Sequence, residues 1–360
     1  MAAPRGEFSS KLGFLMAAAG SAVGIGNVIN FPTLVASNGG AAFLLIYLAL
    51  AFLLAFPALM AELVIGRHAK SNSVEAMRKI AIGPVSRNIG AAAGFGGIIV
   101  ASLVLTFYVI LAGWMVAHVF ASVTGPLGFA GATEWLTNAS IPRNLVFAAV
   151  MMAITVAIIC GGVKDGIEKW CSRLMPALLL ILISLIIYVL TLDGAIDGLK
   201  AYLIPDFSRA VKPNLVISAL GQAFFSLSLG VGTMLIYASY VSDEGNLVSL
   251  GRSVTLLDIG IAFLAGLLIM PAIYAAQNFG VPIYDADGNL VAGAGLVFVV
   301  IPALFETMGA AGSIVSLAFF VLITLAAITS SISVLEVPVA YAVENHGMQR
   351  RRATILIGAV

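Results

Sequence analysis

Asp258 stands in the run LLDIGIAFL, with several apolar residues on each side. A carboxylate inside an apolar span is expensive and usually functional. Three hydroxyls in succession, Thr329, Ser330 and Ser331, interrupt an equally apolar run. Two further apolar stretches lose their regularity at mid-length: Gly20, Gly24, Gly26 and Asn27 fall in one, and Ser226, Ser228, Gly230 and Gly232 in the other. Such residues offer carboxylate, amide and hydroxyl oxygens, and carbonyl oxygens too where a helix opens. That donor set suits a hard cation such as sodium. A helix is broken inside hydrocarbon only where something else satisfies the freed groups, and a bound ion or substrate does so. Taken singly, the glycines could serve close helix packing, and the hydroxyls could bond back to their own helix carbonyls. Two interruptions at matching positions favour breakage.

Other chemistries fit less well. An intramembrane enzyme would need a base beside Ser330 or Ser226, but His68 and His346 fall at the inner ends of apolar runs and His118 near an outer end. Gly24-Ile25-Gly26 has no strand before it, which a nucleotide-binding turn requires. With a net charge of +1 and scattered Lys and Arg, there is no basic patch for nucleic acid. Cys160 and Cys171 read as free thiols on the cytoplasmic side.

These groups need membrane spans to hold them. With 61% hydrophobic and 10% charged residues, 360 residues have too little polar surface to wet a soluble domain; the lipid bilayer is the solvent. A span takes about 20 mostly apolar residues, and candidates lie at 11–37, 41–66, 89–122, 143–161, 168–191, 215–240, 249–276 and 312–343. A ninth begins at Arg352, and the sequence given ends within it. The apolar stretch from Ala292 to Met308, interrupted by Pro302, reads as a re-entrant or external helical loop. The first run follows Arg5 and Lys11 as a secretory signal would, but it continues to Phe31, too long for a signal core.

Lysine and arginine set the orientation. With the N-terminus inside, the inner connections hold Arg5, Lys11, Arg67, Lys70, Arg78, Lys79, Arg87, Lys164, Lys169, Arg173, Arg252, Arg350, Arg351 and Arg352, 14 of the 18. The outer set is Arg143, Lys200, Arg209 and Lys212. The acidic residues Asp285, Asp287 and Glu306 then face outward. The expected protein is an all-α, multi-pass protein of the inner (plasma) membrane with a cytoplasmic N-terminus. Spans one and six lie five apart and run oppositely, as in an inverted repeat of five-helix units. Residues 1–191 would form the first unit and 192–360 the second, truncated in span nine, so later spans are expected to be missing.

The segments GSAVGIGNVINFP (20–32), NGGAAFLLIY (38–47), GQAFFSLSLGVG (221–232), YASY (237–240) and ITSSISV (328–334) resemble the neurotransmitter:sodium symporters, and within them the bacterial amino-acid transporters. The resemblance runs from Arg5 to Glu344 and implies two sodium sites. One would use the Ala22 carbonyl with Asn27, Ser226 and Asp258, completed by the substrate carboxylate. The other would use the carbonyls of Gly20, Val23 and Ala326 with the hydroxyls of Thr329 and Ser330. The substrate carboxylate would meet amides near Gly24 and Gly26 and the Tyr108 hydroxyl. Its side chain would lie among Ile25, Val104, Phe225, Ser228, Val231 and Val334.

Mostly apolar lining argues for a hydrophobic substrate, leucine-like or tryptophan-like. Gly24, where monoamine carriers place an acid, favours a neutral amino acid over an amine. Chloride-dependent relatives carry Asn where this chain has Asp258, so no chloride is expected, and a proton is the candidate to return in exchange. Arg5, Ser239, Tyr240 and Glu344 match the family's inner gate, with Arg5 and Glu344 as an ion pair. Phe225 would be the outer lid over Tyr108. Asn30 departs from an outer arginine of some relatives; Glu62 and Glu336 are buried acids with no assigned role. A proton-coupled permease of the same architecture and a channel are the rival readings.

Overall fold

The computed structural model describes residues 6–205, 213–243, 245–285 and 290–360. Arg5, Arg209, Lys212 and Asp287 lie outside them. Among the described residues there is no strand, only two isolated bridges, Gly40 with Pro205 and Tyr284 with Leu290. Six helices are long and apolar enough to cross a membrane: Ala41–Ala69, Pro84–Thr124, Ile141–Cys160, Val163–Val189, Leu247–Asn278 and Ala311–His346. A seventh crossing is the bent pair Lys11–Ala22 and Gly26–Ser37, whose halves meet at 55°. The sixth expected span is likewise two helices, Pro213–Ser226 and Thr233–Ser239. Between them the backbone turns through positive φ at Ser228 (53°), Gly230 (84°) and Gly232 (85°), which ordinary residues rarely adopt. Arg350–Gly358 opens the ninth.

Burial separates the helices by role. Two thirds of the most apolar stretch of Leu247–Asn278 is buried, against one third in the second, fourth and fifth spans. Span seven is therefore central, and the latter turn most of their apolar surface to lipid. The fold places Asp258 on this central element, fully buried.

Prolines are absorbed by a recurring device. Pro32, Pro57 and Pro302 are each the second residue of an α-helix that follows a five-residue π-turn, at Gly26–Asn30, Ala51–Ala55 and Leu296–Val300. The wider turn offers room where a proline ring would clash with the preceding carbonyl and where its missing N–H leaves a gap. The segment near Pro302 is the short helical segment expected, too short for a span, but it runs continuously from Gly293 to Thr307 without an interruption at the proline. It buries Leu296, Val297, Val300, Ile301 and Leu304 against the bundle.

Arg143, placed at an end of the fourth span by the sequence, is buried there. Only 1% exposed, it donates from Nε to the Leu136 carbonyl (3.0 Å) and from a guanidinium nitrogen to the Thr137 carbonyl (3.2 Å). Those are the last carbonyls of the short helix Ala130–Thr137, which lack partners of their own. The guanidinium also lies over the Trp114 ring, 5.6 Å from its centroid.

Candidate functional site

The break in the first span begins where Val23 turns extended, at φ −77° and ψ 103°. Its freed groups are answered from two other spans, the sixth and the eighth. Gln222 donates to the Gly26 carbonyl at 3.0 Å, and Ser228 to the Ser21 carbonyl at 3.0 Å. Ser330 lies within reach of the carbonyls of Gly20 (3.4 Å), Ser21 (3.4 Å) and Val23 (3.3 Å). Glu62, on the second span, accepts from the Gly230 amide at 2.7 Å in the other break. The broken segments are thus pinned by polar side chains in the manner a hydrocarbon interior demands.

Asn27, Ser226 and Asp258 form one buried cluster. Asn27 donates from Nδ2 to Asp258 Oδ1 (2.7 Å) and Ser226 Oγ (3.0 Å). The Ser226 hydroxyl lies 2.8 Å from both Asp258 oxygens. All three residues are at most 1% exposed. A carboxylate held only by neutral donors is an unbalanced charge in a dry interior. The amide nitrogen of Asn27 presents partial positive charge to the oxygens, and the side chain turned end for end would present Oδ1 instead. In that orientation the cluster is a cage of hydroxyl, amide and carboxylate oxygens suited to a hard cation.

The second set also converges. Ser330 reaches across to Gly20 and Val23 as above, while the Thr329 hydroxyl stays on its own helix, donating to Ala326 (3.0 Å). Ser331 and Ser333 bond back likewise, to Ala327 and Ser330. Of the consecutive hydroxyls, only Ser330 is turned to the broken span. Gly20 is pressed against Thr329: a Cβ there would lie 3.0 Å from the threonine Cβ.

Tyr108 and Gly24 mark the centre. A Cβ on Gly24 would lie 2.7 Å from Ser330 Oγ and 3.2 Å from the Tyr108 hydroxyl. That hydroxyl is buried and completes no hydrogen bond among the described residues. Beyond it opens a cavity of about 350 Å³, lined by Ile25, Gly26, Tyr108 and Phe225 from the expected set. Phe225 rests on Gly26 and is 52% exposed. The cavity continues past Phe107, Leu111 and Met115 to Ile29, Asn30 and Phe298. Val104, Ser228, Val231 and Val334 do not line it. Val104 is one turn before Tyr108 on the same helix, and the Val231 carbonyl faces Gly97. These four expected lining residues therefore lie outside this cavity.

Just before the first span, the Phe8 ring meets Tyr237 and Tyr240 edge-on at 5.8 and 6.3 Å. Tyr240 donates to Glu336 (2.6 Å), and Arg350 pairs with the second Glu336 oxygen at 2.5 Å. Glu344 accepts from the Asn72 amide and side chain at 2.7 and 2.9 Å. Ser239 donates to the Ile236 carbonyl of its own helix. The proposed partner of Glu344, Arg5, is outside the described residues. Gln222, Ser21 and Arg350 were not anticipated as parts of these clusters; a glutamine within an apolar span was the available signal.

A multi-pass membrane protein with two mid-span breaks around buried oxygen clusters is a carrier by architecture. Residues 5–144 and 140–360 match the model of the sodium:neurotransmitter symporter family. The chain belongs to that family, whose members are transporters and not enzymes. It is 37% identical over 339 residues to YhdH of Bacillus subtilis, described as an uncharacterised sodium-dependent transporter, covering 93% of this chain and 72% of that one. An uncharacterised sodium-dependent transporter of Methanocaldococcus jannaschii is 32% identical over 370 residues, covering 99% of this chain and 73% of that one. The crystal structure of MhsT in complex with L-phenylalanine superposes with a TM-score of 0.84 at 40% identity, covering 99% of this chain and 78% of that one. The protein is a sodium-coupled membrane transporter.

Proposed function

We propose that this chain imports a neutral hydrophobic or aromatic amino acid together with sodium, independently of chloride, from an inner-membrane location with its N-terminus in the cytoplasm. The observation that carries the reading is the buried cluster of Asn27, Ser226 and Asp258 beside the break at Val23 to Ile25. One sodium would sit there with the Ala22 carbonyl and the substrate carboxylate. A second would sit among Gly20, Val23, Ala326, Thr329 and Ser330. Asp258 already supplies the negative charge that a chloride would bring.

The substrate carboxylate would be held by the Tyr108 hydroxyl and the amides around Gly24 and Gly26, where the outer half-helix presents its positive end. The apolar lining of Ile25, Phe107 and Phe225 suits a side chain such as that of phenylalanine, the ligand bound to MhsT. Breaks in spans one and six support the inverted repeat of residues 1–191 and 192–360. The test is binding of radiolabelled phenylalanine, leucine and tryptophan to purified protein in sodium or potassium, with chloride or gluconate. Sodium-dependent, chloride-indifferent binding is expected. Binding indifferent to sodium would replace this reading with a proton-coupled permease, and a chloride requirement would remove the role given to Asp258.

A further inference from the structure

Glu168 has no part in the ion or substrate clusters, yet it is among the most heavily engaged acids in the molecule. It is the last residue of the π-turn Val163–Glu168 that opens the fifth span, and it is buried at 6% exposure. Its carboxylate accepts from the Ser9 amide (2.7 Å), the Ser9 hydroxyl (2.6 Å) and the Ser10 hydroxyl (3.1 Å). Ser10 is the N-cap of Lys11–Ala22 and in turn accepts from the Gly13 amide at 2.9 Å. The carboxylate lies over the first turn of the inner half-helix, at its positive end, where charge-assisted hydrogen bonds are about twice as strong as neutral ones. Gly13 makes this approach possible, because a Cβ there would fall inside the carboxylate group.

The contact belongs to a longer seam. Seven residues on from Gly13, Gly20 packs against Met175, seven residues on from Glu168, with a Cβ at Gly20 placed 3.5 Å from the methionine sulfur. The inner half of span one and the start of span five therefore run side by side in the same direction, joined at both ends. Glu168 closes the end at the helix start, and the Gly20 end carries the carbonyls that Ser330 approaches. Cys171 lies on span five between the two contacts, fully buried.

We propose that Glu168 is a positioning residue that clamps the inner half of the first span to the fifth, so that opening toward the cytoplasm requires its hydrogen bonds to Ser9 and Ser10 to break. This rests on the transport reading above. Substrate and sodium are released inward only if the seam parts, and a clamp at its mouth sets how readily that happens.

Cys171 supplies the reporter. With Cys160→Ser removing the other thiol, the rate of alkylation of purified full chain by N-ethylmaleimide measures how often the seam opens. Glu168→Gln is expected to label at least about tenfold faster than the parent in potassium, the change that about 1.4 kcal/mol of lost clamping gives. Gly13→Ala, which displaces the carboxylate from the opposite side, is expected to do the same. Parental rates in both variants would overturn the proposal. So would fast labelling accompanied by loss of a cooperative thermal transition, which marks general loosening instead of an opened seam. Sodium-dependent phenylalanine binding is measured on the same samples. If the parent binds none, the transport reading fails, whereas the comparison in potassium still decides the clamp.

Discussion

Gly24 and Gly26 stand two residues apart and differ in what a methyl group would meet. At Gly24 it would press on Ser330 Oγ and the Tyr108 hydroxyl together, two buried groups of which Ser330 Oγ is already engaged with the carbonyls of the break. At Gly26 it would meet the edge of the Phe225 ring at 2.7 Å, and that ring is half exposed and free to swing. Gly24→Ala is thus expected to weaken sodium-dependent substrate binding by about a hundredfold and Gly26→Ala by about tenfold or less, or roughly 2.7 and 1.4 kcal/mol. Equilibrium binding of labelled phenylalanine checks the order; equal losses would mean that the two breaks in contact are not distinguishable by Phe225 mobility. Asp258→Asn keeps the shape and hydrogen bonds of the Asn27–Ser226 cluster but removes its charge. A unit charge about 4 Å from a cation is worth about 4 kcal/mol at an effective dielectric of 20, so the sodium concentration giving half-maximal binding should rise at least about tenfold. An unchanged sodium titration would take Asp258 out of the ion site.

At the scale of elements, the C-terminal end of span six is tied to spans eight and nine through Tyr240, Glu336 and Arg350. Arg350 also donates to the Ile159 carbonyl at 3.0 Å at the end of span four. Removing one partner of a buried ion pair typically costs about 3–5 kcal/mol, because the other charge is left uncompensated. Arg350→Met should therefore lower the thermal transition markedly, while Glu336→Gln, still able to accept from Tyr240, should lower it less. A smaller effect for Arg350→Met would show that the pair contributes little. Most elements were legible in sequence, since long apolar runs and two glycine-serine interruptions announce spans and breaks. The short helix around Pro302 was legible too, but its continuity through the proline was not, because proline reads as a breaker unless the preceding π-turn is known. The place of Arg143 at the start of span four was legible, but only folded geometry reveals the helix end that it caps. Of the expected site residues, Gly20 and Val23 at the first break lie against Ser330, whereas lining side chains such as Val104 and Val231 depend on rotations that spacing does not encode.

For the whole molecule, the decisive feature is that both breaks are bound to each other and to span eight by the same few groups. Ser228 in the sixth-span break donates to Ser21, Ser21 donates to Ser333 on span eight at 2.7 Å, and Ser330 on that span meets Gly20 and Val23. A ligand that orders one break therefore orders part of what the other must form. Sodium alone would fix the oxygen clusters, and an amino acid alone would fix the amides near Gly24. The second to arrive finds groups already positioned, which is cooperativity through shared ordering. Any ligand that binds the folded state at 100 times its dissociation constant adds about 2.7 kcal/mol of stability. If each ligand binds better with the other present, the shift in thermal transition with sodium and phenylalanine together should exceed the sum of the separate shifts, and by linkage each must raise the other's affinity by the same factor. Thermal unfolding in a four-way comparison, sodium or potassium with or without phenylalanine, reads this directly. Strictly additive shifts would mean that the two ligands occupy independent sites, and the coupling assigned to the shared breaks would have to lie elsewhere in the transport cycle.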